Sequence, residues 1–133
     1  MCLPVNAHFQ NKLKTLEMNP DQRLKQLQDL LAQEPNDPFL HYALAQEYLK
    51  RGEAAAAREK FQLLLDEHPT YVGTYYHFGK LEESENQPER AVKCYEAGLQ
   101  QAQAQNDDHS ARELQEALNL CKNLFDLDDE DWD

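Results

Sequence analysis

From residue 19 to residue 125 the apolar positions fall at helical spacing, broken at intervals by proline, glycine and capping residues. Asn19-Pro20 predicts a helix start, with proline in the first turn where its missing N–H costs nothing. Leu24, Leu27, Leu30 and Leu31 stripe one face of that helix until Pro35. Asp37-Pro38 opens a second helix, an N-cap followed by proline, and Gly52 closes it as a left-handed C-cap. Residues 54–67 form a third, stopped by Pro69. A fourth starts at Thr70 or a neighbour and ends near Asn86, a residue that tolerates the left-handed backbone. Pro88 opens a fifth that runs to about Gln105. Ser110-x-x-Glu113 reads as a capping box for a sixth, on which Ala111, Leu114, Leu118, Cys121 and Phe125 step 3, 4, 3, 4 along one stripe.

Composition narrows the fold class to all-α. Ala, Leu, Gln, Glu, Lys and Arg make 74 of the 133 residues, whereas Val and Thr number three each and Ile is absent, so a sheet has almost nothing to build with. Apolar runs of four residues or fewer, such as Ala54–Ala57, leave no segment able to span a bilayer, so no membrane insertion is expected. Residues 1–17 carry no signal-peptide core, and three scattered cysteines (Cys2, Cys94, Cys121) suit reduced thiols, which together point to a cytoplasmic protein. With 25 acids against 13 bases the net charge is −12, and a polyanion of this kind repels phosphate backbones. No nucleic-acid partner is expected.

The chain also repeats itself. His41, Leu44, Ala45, Ala57 and Phe61 recur 34 residues later as Tyr75, Phe78, Gly79, Ala91 and Tyr95, and Pro35 and Pro69 are separated by the same 34. A 34-residue period made of two helices resembles the tetratricopeptide repeat. That family's pattern is aromatic-x-x-Leu-Gly-x-x-Tyr, then Ala-x-x-x-Phe, then Pro. Residues 38–71 supply Leu44, Ala45, Tyr48, Gly52, Ala57, Phe61 and Pro69; residues 72–105 supply Tyr75, Phe78, Gly79, Ala91, Tyr95 and Gly98. Three positions depart from it: His41 stands for the large aromatic, Glu82 for Tyr, and Gln103 for a third Pro. Without that Pro the fifth helix can run on, so the second repeat should end in a longer helix than the first. The resemblance implies a right-handed superhelical stack of antiparallel helix pairs over residues 19–125. It comprises a half-repeat helix (20–34), two repeats (38–71 and 72–105) and a capping helix (108–125).

No phosphate-binding loop, HExxH, GxSxG or dinucleotide fingerprint occurs, and no enzyme is expected. Five histidines without an i, i+4 pair offer no metal site, and Asp126-x-Asp128-x-Glu130 lacks the glycine and downstream Glu of a calcium loop. No cofactor is implied. What remains is a surface. In the family the first helix of each pair lines a concave groove that holds peptides. Carried over through the repeat register, the groove residues are Phe39, Tyr42, Gln46, Leu49 and Lys50 from the first repeat. From the second they are Tyr76, His77, Lys80 and Glu83. Tyr42 and Tyr76 recur at the repeat period outside the packing signature, and should form an aromatic strip flanked by Lys50 and Lys80. Ala43 and Gln46 stand where a chaperone-tail clamp needs Asn, which argues against that ligand. The resemblance implies a protein-interaction module, an adaptor or assembly factor for a protein or peptide partner, acting as a monomer or weak homodimer. The alternative is a small acidic secretion-type chaperone for an apolar client.

The two ends stand apart from the repeats. Residues 1–18 show no signature and are expected to be loosely ordered, with Met18 as an alternative initiator or a half-formed helix from about Ala7 to Leu16. Residues 126–133 hold six acids and no base, half of the net charge, and such runs are usually solvated and disordered. A sharper reading sends Trp132 and its flanking acids into the groove, against Lys50, Lys80 and the tyrosines.

Overall fold

The computed structural model describes residues 19–127. Six helices and no strand occur among them: α1 (Pro20–Gln33), α2 (Pro38–Lys50), α3 (Ala54–Glu67), α4 (Gly73–Ser84), α5 (Pro88–Ala104) and α6 (Asp108–Leu124). The segment 1–18, with its expected loose order and alternative start, lies outside the described residues, as do residues 128–133 of the acidic segment.

Local chemistry sets the helix ends. Asn19 Oδ1 accepts the Asp21 N–H at 3.0 Å, and Asp37 Oδ1 accepts the Phe39 N–H at 2.9 Å. Gly52, Asn86, Asn106 and Asp126 all take positive φ, at 74°, 59°, 57° and 54°. The following N–H groups of Glu53, Gln87, Asp107 and Leu127 each reach back to a carbonyl five residues earlier at 2.8 Å. Four helices therefore stop on the same left-handed turn. By contrast, α1 and α3 stop at Glu34 and His68, which leave the helical region at φ −131°, ψ 73° and φ −135°, ψ 58°, since a following proline disfavours the α conformation of the residue before it. Residue 103 is Gln rather than Pro, so α5 continues for 17 residues where α3 has 14.

One helix cap differs from expectation. The last helix begins at Asp108, as expected, but Ser110 does not cap it; Asp107 does, accepting the Ser110 N–H at 3.1 Å, so that Ser110 and Glu113 both lie inside the helix. The left-handed turn at Asn106 frees Asp107 to cap at once. The hydrogen bonds of Ser110 hold the Asp107 carboxyl below the usual carboxylate range.

Packing follows the 34-residue register. Helices α2 and α3 form one antiparallel pair and α4 and α5 the next; α1 closes one end against α2, and α6 lies along α5 and touches α4. Ala45, Ala57, Phe61, Leu64, Phe78 and Leu81 fill one core cluster, with the Phe61 and Phe78 rings stacked 5.5 Å apart. Tyr75, Ala91, Val92, Tyr95, Ala102 and the α6 residues Leu114, Ala117, Leu118 and Cys121 fill the next. Small residues permit the close crossings. A methyl at Gly79 would sit 2.7 Å from Tyr95 Cζ, and one at Gly98 would sit 2.9 Å from Tyr75 Cγ and 3.2 Å from Leu114 Cδ1.

The departures from the family pattern have physical explanations here. His41 Nε2 lies 2.8 Å from the Pro35 carbonyl oxygen, and 34 residues later the Tyr75 hydroxyl donates to the Pro69 carbonyl at 2.5 Å. The histidine thus makes the bond that the aromatic makes in the next repeat. Glu82 is buried, and Arg58 of α3 pairs with it and with Glu85, the latter at 2.9 Å; Arg90 of α5 lies 3.9 Å away. Glu47 is buried likewise and takes Arg23 of α1 at 2.6 and 3.2 Å. Each ion pair joins the second helix of one unit to the first helix of the next, where an unpaired carboxylate would be very costly. The acidic segment starts inside the fold: Leu127 packs against the second cluster, and its N–H bonds to the Lys122 carbonyl.

Candidate functional site

Helices α2, α4 and α6 are the alternate members of the stack, and one side of each faces a shared groove of about 600 Å³. Tyr42 enters from α2. Gly73, Tyr76, His77 and Lys80 form the α4 floor, preceded by Val72. Ser110, Glu113, Leu114, Glu116, Ala117 and Leu120 make the α6 wall.

The floor is a chain of rings. Tyr42 lies 5.6 Å from Tyr71 and 5.4 Å from His77; His77 lies 5.3 Å from Tyr76, edge to face; and Tyr76 lies 6.4 Å from Tyr95. The two repeat-related tyrosines are thus joined through the imidazole of His77. Burial pushes that imidazole below the usual histidine range, with the Glu113 charge acting in the opposite direction. Burial raises the Tyr42 phenol, while the hydrogen bond from Gln46 at 3.0 Å opposes the rise and Glu113 adds to it. Lys80 stands over the Tyr76 ring at 5.6 Å and 3.7 Å from Glu83.

Of the residues expected to face the groove, Tyr42, Tyr76, His77 and Lys80 meet there. Gln46 supports Tyr42 from one turn on, and Glu83 accepts the Tyr95 hydroxyl bond beneath Lys80. Leu49 packs against the first core cluster, Phe39 is 37% exposed at the start of α2, and Lys50 is exposed at its end, outside the groove lining. A rim of two lysines is therefore not what borders the rings: Lys80 faces Glu113 and Glu116 across them. The α6 wall went unforeseen because the stripe from Ala111 to Phe125 marks the helix face that packs on α5. A second apolar series on the same helix, Ala117, Leu120 and Leu124, was the available signal.

Among solved structures, a tetratricopeptide repeat domain protein from Salinibacter ruber is 41% identical. Its solution structure matches with a TM-score of 0.66 over 68% of this chain and 91% of that one. The chain belongs to the tetratricopeptide repeat family. The crystal structure of the Salinibacter ruber tetratricopeptide repeat domain protein agrees, at a TM-score of 0.64 over 66% of this chain and 98% of that one. A Bordetella parapertussis protein is 27% identical, with a TM-score of 0.66 over 75% of this chain and 87% of that one. The MamA protein, 18% identical at a TM-score of 0.65, shares the fold; the chain spans 57% of its length. No family model and no curated protein matches the chain. Membership in the tetratricopeptide repeat family supports a general role in protein interaction.

Other chemistry in the repeats is sparse. Among the described residues no cluster of His, Cys, Asp and Glu could hold a metal ion, and no helix is long and apolar enough to cross a membrane. Burial pushes the Cys94 thiol up to about 12 and the Cys121 thiol to about 11, so both stay protonated at neutral pH.

Proposed function

We propose that the chain is an adaptor that holds a segment of a partner protein in the groove between α2, α4 and α6. The observation that carries this reading is the ring series Tyr42–His77–Tyr76, bordered by Leu120 and Ala117 and left uncovered by the chain's described residues. Aromatic anchors at the centre of a polar rim typically concentrate about 2 kcal/mol or more each. The rim chemistry specifies the ligand further. Lys80 favours an acidic side chain at one edge, and Glu113 and Glu116 favour a basic one at the other. A segment with apolar residues between an acid and a base fits best, as an amphipathic helix or an extended strand. Binding is the function we assign to this groove.

A displayed peptide library selected against the protein supplies the test. Enriched peptides should share the acid–apolar–base order. Replacing Tyr42 and Tyr76 by Ala should weaken them roughly 30-fold or more per anchor, from the magnitude above. Both tyrosines are half-buried, so thermal stability should fall far less than affinity. Full binding by the double variant would exclude this groove as the binding site.

A further inference from the structure

On the side of α4 opposite the tyrosine groove, a second depression of about 300 Å³ opens between α3 and α5. Leu65, Phe78 and Cys94 form its apolar part, and Arg58, Arg90 and Lys93 border it. The residue behind it is Glu82, one of the departures from the repeat pattern. Thirty-four residues earlier stands Tyr48, which packs against both the cluster of Leu27 and Leu40 and the cluster of Ala57 and Phe61, with its hydroxyl 3.4 Å from Gln28 Nε2 of α1. In the second repeat no ring occupies that place. The Glu82 carboxylate turns instead to Arg58, which lies 5.7 Å over the Phe78 ring and is held by Glu85 as well. The charge is peculiar to this repeat too, since Arg58, Arg90 and Lys93 stand where Leu24, Ala56 and Glu59 stand 34 residues earlier. Arg90 is 68% exposed and 3.9 Å from Glu82, a carboxylate that Arg58 already holds. Lys93 is exposed and has no ion pair among the described residues.

We propose that this depression docks an acidic segment of a partner protein, which places one aromatic side chain where the second repeat lacks the ring of Tyr48 and sets its carboxylates on Arg90 and Lys93. Charge complementarity selects the partner. Arg58 is engaged twice, so Arg90 and Lys93 carry the uncompensated charge, in a chain whose net charge is −12. They are three residues apart and therefore neighbours on one face of α5. A basic segment would be repelled there, and a purely apolar one would cover two cations without pairing them, which is costly. Size selects the anchor. A volume of about 300 Å³ lies at the small end of ligand pockets, which run about 300–1,000 Å³, so a single ring fits and a whole helix does not. Arg58 offers that ring the cation–π contact it already makes with Phe78. The tyrosine groove is the poorer host for an acidic segment, because there Lys80 is opposed by Glu113 and Glu116. None of these observations rests on the function proposed above, so the two surfaces stand or fall separately.

The probe is a blocked peptide with one phenylalanine between two pairs of aspartates, titrated to millimolar concentration into the nitrogen-15-labelled full chain. Amide resonances of α3 around Arg58 to Leu65 and of α5 around Arg90 to Cys94 should shift and saturate. A peptide with alanine for the phenylalanine, or lysines for the aspartates, should leave them in place. Arg90→Glu with Lys93→Glu should weaken the aspartate peptide about fivefold or more, the loss of two exposed ion pairs, and should admit the lysine peptide instead. Glu82→Tyr, which restores the ring of the first repeat, should fill the depression and abolish binding. The Tyr42→Ala, Tyr76→Ala variant should bind as the wild type does. No shift in the wild-type chain overturns the proposal, as do shifts centred on Tyr76 and Leu120. Equal binding of the alanine peptide removes the aromatic anchor, and equal binding by the charge-reversed chain removes the two cations; either result overturns it. Circular dichroism checks that the variants are folded. If one is not, the three peptides on the wild-type chain decide, together with release at about 1 M salt, where the screening length falls to about 3 Å.

Discussion

Replacing Gly98 by Ala tests the packing argument where α5 crosses α4. The added methyl would run into Tyr75 Cβ, and would lie 2.9 Å from Tyr75 Cγ and 3.2 Å from Leu114 Cδ1. Carbon atoms prefer about 3.5–4.0 Å, so α5 has to move off α4 by roughly 1 Å. Tyr75 cannot swing away easily, because its hydroxyl is tied to the Pro69 carbonyl and its ring is 5% exposed. Overpacking of this kind costs about 1–3 kcal/mol. Removing a helical glycine returns about 0.5–1 kcal/mol. The net expectation is a loss of about 1–2 kcal/mol, which lowers Tm by roughly 4–8 °C in a chain of this size. Gly73→Ala is the control. Its methyl would meet Tyr42 and Tyr71 at 3.6 and 3.7 Å, which is ordinary contact, so stability should hold or rise slightly. Thermal and urea melts followed by circular dichroism measure both variants. A Gly98→Ala chain as stable as wild type would refute the claim that this glycine sets the α4–α5 distance.

The buried pair of Arg58 and Glu82 should show strong non-additivity: Arg58→Met alone should cost about 2–4 kcal/mol in a urea melt by stranding the carboxylate, whereas adding Glu82→Leu should recover most of it. Equal losses in the single and double variants would contradict that account. Tyr75→Phe should cost about 1 kcal/mol through the bond to Pro69 and leave the helix content unchanged; a neutral result would mean that the hydroxyl is satisfied otherwise. His77 predicts an acid dependence. Its folded pKa lies below the ordinary 6.5, so the unfolded chain binds more protons and stability falls as pH drops from 6.5 through the folded value. A His77→Phe chain should lose stability less steeply between neutral and mildly acidic pH, and an identical slope would remove His77 as the cause.

Helix positions were legible in the sequence because their signals are local. Asn19, Asp37, Pro20, Pro38 and Pro88 act through backbone groups within one turn, and Gly52 and Asn86 adopt the left-handed turn they were expected to adopt. The 34-residue recurrence of small and large residues also determined which helices pair, since Gly79 accepts Tyr95 only if α4 and α5 cross there. Capping of α6 was misplaced because Ser110 and Asp107 are both competent caps, and the turn at Asn106 selects between them. Of the groove, the sequence carried the α2 and α4 side chains, whose outward positions follow from the repeat register. It could not show that His77 stands between the two tyrosines, that Lys50 lies outside the lining, or that α6 brings Glu113 and Glu116 opposite Lys80. Those facts depend on how helices 34 or more residues apart are offset and rotated against each other. A helix declares its own apolar face through its periodicity, but what its polar face meets is decided when the stack closes.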